Sequence, residues 1–215
     1  MNQKWPVIGA SILDADNKFV TINNLLSIGV NWIHYDIMDG DFVPKISLPP
    51  EEVKTLVAKV NPHIVDIHLM VKDVKGYIQQ FKEIADYITF HYEAVNDQEL
   101  HRIFEKYHDL NLGLAIKPHT PLSAIKHFLP FVTHVLIMSV QPGLGGQSFI
   151  ESSLEKINCL THLIKQENLN IFIGVDGGIN DITGPQVIEN GAQMLVSGSY
   201  LLNNLSQETI DKIIK

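Results

Sequence analysis

The stretch Trp32-Ile33-His34-Tyr35-Asp36-Ile37-Met38-Asp39-Gly40 decides how this chain is read. It is a β-branched and aromatic run ending in a turn signal. A strand sends alternate side chains to opposite faces, so His34, Asp36 and Met38 share one face. A second run, Asp66-Ile67-His68-Leu69-Met70, repeats the pattern and aims Asp66, His68 and Met70 one way. Neighbouring strands lie roughly 4.8 Å apart and residues two apart about 6.6 Å. His34, Asp36 and His68 are therefore within reach of one ion through bonds of about 2 Å. A third apolar run, Ile171-Phe172-Ile173-Gly174-Val175-Asp176-Gly177-Gly178, ends in a carboxylate and two glycines, which suits a strand tip at a site mouth and offers Asp176 as a fourth ligand.

Outward from these runs, short apolar segments alternate with amphipathic stretches. Strands are expected over Val7 to Ile12, Trp32 to Ile37, Ile64 to Met70, Tyr87 to Tyr92, Leu112 to Ile116, His134 to Val140, Ile171 to Val175 and Met194 to Ser197. Between them, Val53, Leu56, Val57 and Val60 form a helical stripe after Pro50, and Leu100, Ile103, Phe104 and Tyr107 form another. Gly29 and Gly191 stand where helices should stop. Eight β-then-α units imply an α/β fold, a single (β/α)8 TIM barrel over residues 1–215. The runner-up, a doubly wound open sheet, would carry a G-x-G-x-x-G turn after its first strand, and none is present.

Composition narrows the partners. The 215 residues are 45% hydrophobic and 19% charged, enough for a large core, and the net charge of −8 argues against nucleic acid. No apolar run suits a bilayer, no leader is read in Met1 to Pro6, and the lone Cys159 excludes an internal disulfide; a cytoplasmic protein without a membrane partner is expected. Outer helix faces leave homo-oligomerisation open.

In such a barrel, chemistry gathers at the C-terminal strand ends, and phosphate commonly binds after the seventh and eighth strands. Gly177-Gly178 and Gly198-Ser199 stand there, and Gly143-Leu144-Gly145-Gly146 follows the sixth strand. Any one glycine pair is more often a plain turn; three clusters on successive strand ends point to a phosphorylated ligand. Gly178 and Gly198 are expected to tolerate even alanine poorly, through blocked backbone approach or a positive φ.

The chain resembles the ribulose-phosphate 3-epimerase family along nearly its whole length. The matching stretches are Ala10 to Leu13, Trp32 to Pro44, Asp66 to Val71, Ile88 to His91, Ile137 through Phe149, Val175 to Asn180 and Gly198-Ser199. The resemblance implies inversion of C3 of D-ribulose 5-phosphate to D-xylulose 5-phosphate, in the pentose phosphate pathway of carbohydrate metabolism. It implies one divalent metal ion per chain on His34, Asp36, His68 and Asp176, with Asp36 and Asp176 as the acid/base pair. It further implies substrate contacts from Ser11, His68, Gly143, Leu144, Gly145, Gly146, Asp176, Gly177, Gly178, Gly198 and Ser199, and a cap over the enediolate from Met38, Met70 and Met138. Two imidazoles with two carboxylates suit zinc, iron, manganese or cobalt without choosing among them.

The reaction itself explains these residue types. Inverting a carbon beside a carbonyl requires a proton to leave one face and another to return to the opposite face, so two carboxylates in unlike protonation states are needed. Blander roles remain open at several positions: the methionines as core filling, Asp39-Gly40 as a turn, Asp66 as a structural hydrogen bond or a partner orienting His68, and His91 with Glu93 without a chemical role. Asp14, Lys45, Leu48-Pro49-Pro50 and Leu144 depart from the family pattern near the barrel mouth. An allulose 6-phosphate 3-epimerase is therefore the close alternative, with Gly178 and Ser139 favouring the pentulose. A decarboxylase of the orotidine-phosphate type would need Asp-x-Lys-x-x-Asp, where this chain has Met38. A non-catalytic sugar-phosphate sensor would not need both carboxylates.

Overall fold

The structure, a computed structural model, describes residues 5–215; the opening four residues, read above as carrying no leader, lie outside the described residues. Among the described residues nine strands form one sheet: β1 (Val7–Ser11), β2 (Trp32–Asp39), β3 (Ile46–Ser47), β4 (Ile64–Met70), β5 (Tyr87–His91), β6 (Leu112–Ile116), β7 (His134–Met138), β8 (Phe172–Asp176) and β9 (Met194–Ser197). The order is β1-β9-β8-β7-β6-β5-β4-β2-β3, and β1 also pairs with β2. That pairing closes eight parallel strands into a barrel and leaves β3 as an antiparallel flap on β2. The helices α1 (Lys18–Ser27), α2 (Pro50–Lys59), α3 (Val74–Phe81), α4 (Asp97–Lys106), α5 (Leu122–Ile125), α6 (Ser152–Gln166), α7 (Thr183–Glu189), α8 (Ser199–Asn203) and α9 (Gln207–Ile213) supply the crossovers and the outer layer. Among the described residues no helix is long and apolar enough to cross a membrane.

All eight expected strands form, with shifted ends that have local causes. β2 runs two residues past Ile37 because Met38 and Asp39 pair with Ser47 and Ile46 of the flap. β8 starts at Phe172 and extends to Asp176, which pairs with both Met138 and Val196. β7 ends at Met138 rather than Val140, as the chain turns toward Pro142, which has no N–H to offer a ladder. β1 and β5 each end one residue early, Tyr92 opening a 3-10 turn over Tyr92–Ala94. The helix starts follow their signals: Asn17, Asp73 and Asn96 cap α1, α3 and α4 through side-chain oxygens, and Pro50 occupies the first turn of α2.

Strand alternation creates two cores. Ile33, Tyr35, Ile37, Ile67, Leu69, Phe90, Leu114, Ile137 and Val175 point outward into the layer under the helices. The opposite faces fill the barrel, where Trp32, Leu136, Phe172, Met194 and Val196 pack together. Trp5, Trp32, Tyr87, Phe172 and His134 form an aromatic floor at the N-terminal end, with the His134 and Phe172 rings stacked at 4.8 Å. Gly113 is required above His134, because a Cβ there would stand 2.1 Å from the imidazole Nε2.

Candidate metal centre and active site

The register of β2 against β4 sets His34 beside Asp66, Asp36 beside His68 and Met38 beside Met70. Both strands turn these residues into the barrel, so the polar pairs form successive layers above the aromatic floor. His34, Asp66 and His68 are fully buried, and Asp36 nearly so. Asp176, on the far side of β1 and β9, completes the group. One ligand atom from each of His34, Asp36, His68 and Asp176 lies within 4.8 Å of all the others.

The atoms facing the centre of this group are His34 Nε2 and His68 Nδ1, 3.4 Å apart. Asp36 Oδ1 stands 3.5 Å from the first and 3.2 Å from the second. Asp176 Oδ2 stands 4.0 and 3.5 Å from the same two atoms. A tetrahedral ion with bonds of about 2 Å has ligands separated by about 3.3 Å, so the spacing and donor chemistry fit a divalent cation. The cluster is consistent with a metal site.

Two of the four residues are held from behind by a polar partner. Ser11 Oγ donates to Asp36 Oδ2 at 2.7 Å. Asp66 Oδ2 meets His34 Nδ1 at 2.6 Å, which leaves Nε2 directed at the centre. Asp66 thus anchors His34 across the ladder, not the His68 of its own strand expected from the shared face. Its second oxygen, Oδ1, has no hydrogen-bond partner among the described residues. Burial alone would lower the His34 pKa, but the charges of Asp66 and Asp36 outweigh it and hold the ring well above its usual value. The site therefore favours a positive charge at its centre.

The two cavity-facing carboxylates differ. Burial would raise Asp36, but the neighbouring His34 and His68 hold it below the usual carboxylate range. Asp176 is pushed up to about 6, by burial first and by the charge of Asp36 second. Above them opens a cavity of about 170 Å³. Ser11, Asp36, Met38, Met70, Met138, Gly143, Leu144, Gly145, Gly146, Asp176, Gly177, Gly178, Gly198 and Ser199 all line it; His34 and His68 lie beneath. Met38, Met70 and Val43 pack together on one wall, so these methionines are core residues as well as cavity lining.

The glycines of the rim are not equivalent. Gly177 and Gly178 adopt φ of 119° and 65°, and a Cβ on Gly178 would stand 2.7 Å from the Phe149 backbone nitrogen. At Gly198 a Cβ would meet Ser11 at an ordinary 3.5 Å, and φ is negative, so the expected backbone reason for glycine does not apply there. Leu144, at the tip of the rim loop, is 64% exposed. Gln147 holds that loop by donating to Gln141 O at 2.6 Å and Leu144 O at 2.8 Å.

Several residues make contacts that their sequence reading did not foresee. Ser139 is fully buried and its hydroxyl donates to Gly177 O at 2.6 Å, so it braces the β8 turn and does not line the cavity. Asp39 is more than a turn residue: Oδ1 accepts from Asp41 and Phe42 N–H, and Oδ2 from Lys72 N–H at 2.6 Å, tying the loops after β2 and β4. Asp14 and Lys45, two of the departures from the family pattern, face each other at 4.0 Å across the mouth. Asn180 and Gln141 join the lining. Both lie inside stretches that carry the family resemblance, Val175 to Asn180 and Ile137 through Phe149.

The chain matches the ribulose-phosphate 3 epimerase family over residues 7–202. It is 42% identical to the chloroplastic ribulose-5-phosphate-3-epimerase of Arabidopsis thaliana over 80% of this chain, and spans 62% of that longer protein. It is 39% identical to the ribulose-phosphate 3-epimerase of Methanocaldococcus jannaschii, covering 97% of this chain and 89% of that one. In fold it is similar to the 3-keto-L-gulonate-6-phosphate decarboxylase of Vibrio cholerae, with a TM-score of 0.70 at 16% identity over 98% and 96% of the two chains, a likeness of architecture alone. With the family match running through every barrel strand and the buried His/Asp cluster at its centre, the chain belongs to the ribulose-phosphate 3-epimerase family.

Proposed function

We propose that this chain acts as a single-domain, metal-dependent 3-epimerase that interconverts D-ribulose 5-phosphate and D-xylulose 5-phosphate. The observation that carries the reading is that Asp36 and Asp176 reach one cavity from β2 and β8, with the two imidazoles clustered beside both carboxylates beneath it. Asp36 and Asp176 exchange the C3 proton, one removing it from one face of the sugar and the other returning a proton to the opposite face of the planar enediolate. Ser11 keeps Asp36 oriented, and Asp66 keeps His34 oriented. His34, Asp36, His68 and Asp176 hold the cation. When bound, a divalent ion stabilises the negative charge that develops as the proton leaves. Met38, Met70 and Met138 wall the cavity and exclude water from the reacting carbon. Gly177, Gly178, Gly198 and Ser199 receive the phosphate, and the loop Gly143 to Gly146 covers the sugar.

The test is turnover of ribulose 5-phosphate against allulose 6-phosphate, with metal analysis of the same sample. Preference for the pentulose and one divalent ion per chain are expected; full activity after exhaustive chelation would sink the metal-dependent reading. Unphosphorylated ribulose should turn over poorly, since phosphate binding energy positions the reacting carbon. A sensor would give ligand-dependent thermal stabilisation with no turnover.

A further inference from the structure

The two imidazoles of the candidate metal centre are anchored differently. His34 meets a carboxylate directly, but behind His68 stands a second imidazole. His68 Nε2 and His91 Nε2 are 3.0 Å apart, and both rings are fully buried. His91, the last residue of β5, in turn presents Nδ1 to Glu93 Oε2 at 3.3 Å. Glu93 sits in the 3-10 turn that follows, and its other oxygen accepts from the Lys117 backbone N–H at 2.8 Å and from the Thr120 hydroxyl. Phe42, from the loop after β2, packs its ring on His91 at 4.8 Å and holds the imidazole plane.

This chain of contacts has a direction. The Lys117 N–H can only donate, so it keeps an acceptor oxygen of Glu93 engaged. The remaining oxygen of an ionised Glu93 can only accept, so His91 carries its proton on Nδ1 and leaves a lone pair on Nε2. Two imidazole nitrogens at 3.0 Å require one donor and one acceptor, so His68 carries its proton on Nε2. The lone pair of His68 then lies on Nδ1, the atom facing Asp36 and Asp176. We propose that Glu93 and His91 are positioning residues that set the His68 tautomer, keeping its Nδ1 lone pair directed at the cation. The inference rests on the metal-dependent reading above and extends it to residues outside the ligand set.

A merely structural role for this pair would be served by any group of the same shape that fills the same hydrogen bonds, and Glu93→Gln separates the two. The glutamine oxygen must stay on the Lys117 N–H, which turns its NH2 toward His91 Nδ1. That reverses the chain and drives the His68 proton onto Nδ1, the metal-facing atom. In chelator competition, zinc should bind Glu93→Gln about 10–100-fold more weakly than wild type, the usual range for loss of an outer-shell partner. The thermal midpoint of the metal-free protein should stay close to that of wild type. Histidine-labelled wild-type protein loaded with zinc provides a test independent of any variant. Its 15N spectrum should show His68 protonated at Nε2, with a scalar coupling to His91 Nε2 across the hydrogen bond. Zinc affinity in Glu93→Gln within twofold of wild type, or a His68 unprotonated at Nε2, would overturn the proposal. Failure of the wild type itself to bind zinc would instead overturn the metal-dependent reading, and this one with it.

Discussion

Asp36 and Asp176 carry the sharpest claim at the scale of single residues, because a two-carboxylate mechanism assigns each to one face of the sugar. Asn at either position keeps an oxygen near the cluster but removes a titrating group. Epimerisation should fall by at least about 100-fold in Asp36→Asn and in Asp176→Asn, in line with the loss of a general acid or base. The surviving carboxylate still exchanges a proton on its own face, so in deuterium oxide each variant should label C3 of one epimer, and the two should prefer opposite epimers. NMR with metal content confirmed reads this; equal labelling of both epimers by one variant would point to a single mobile base. Of the residues around this pair, His34 with Asp36, and Asp66 with His68, were legible as pairs because strand alternation puts each pair on one face of its own strand. The partner of Asp66 was not: alternation sets which face a side chain occupies, but only the β2–β4 register sets His34 opposite Asp66.

At the scale of elements, the rim loops separate glycine that the fold requires from glycine available to a ligand. Gly178 combines a φ of 65° with the Phe149 backbone 2.7 Å from any Cβ, and backbone cannot swing aside as a side chain can. Gly178→Ala should therefore cost about 1–2 kcal/mol or more from the left-handed conformation alone. Gly198→Ala, with ordinary contacts to Ser11 and a negative φ, should change stability by under about 1 kcal/mol and yet raise KM for the phosphorylated sugar if the phosphate sits against it. Thermal unfolding beside steady-state kinetics distinguishes the two; an unchanged KM in Gly198→Ala would move the phosphate elsewhere. The existence of all eight barrel strands was readable, whereas strand ends and the short β3 flap followed pairings invisible in a local run. The flap that lengthens β2 is one such case, since Ile46-Ser47 has no strand signal until Met38 and Asp39 offer it a ladder.

For the whole molecule, the barrel interior stacks three layers along its axis: an aromatic floor, buried imidazoles with their partners, and the carboxylate-lined cavity. The floor has a consequence for acid stability. His134 is fully buried against Thr89 and Phe172, and burial pushes its pKa down to about 4 from an ordinary 6.5. Above pH 6.5 the ring is neutral in folded and unfolded chains alike, and its contribution is intact. As pH falls from 6.5 toward 4 the unfolded chain takes up the proton first, so folding loses up to about 3 kcal/mol, and below 4 the loss levels off. Urea unfolding of chelator-treated protein between pH 7 and 4.5 should show a smaller loss in His134→Gln than in wild type. Identical slopes would mean that this ring does not govern the acid limb. At this scale the division of labour is clear. The sequence by itself determined the eight-fold βα alternation, the inward faces of β2, β4 and β8, and the presence of glycine at the mouth, because period-two and 3.6-residue patterns are properties of adjacent residues. Only the tertiary structure decided that His34 answers to Asp66, that His91 and Glu93 stand behind His68, and that Ser11 and Ser139 brace the two carboxylate strands. Those contacts, the local one between His91 and Glu93 apart, join residues 23 to 38 positions apart, and barrel closure and strand register, not local pattern, bring them within hydrogen-bonding distance.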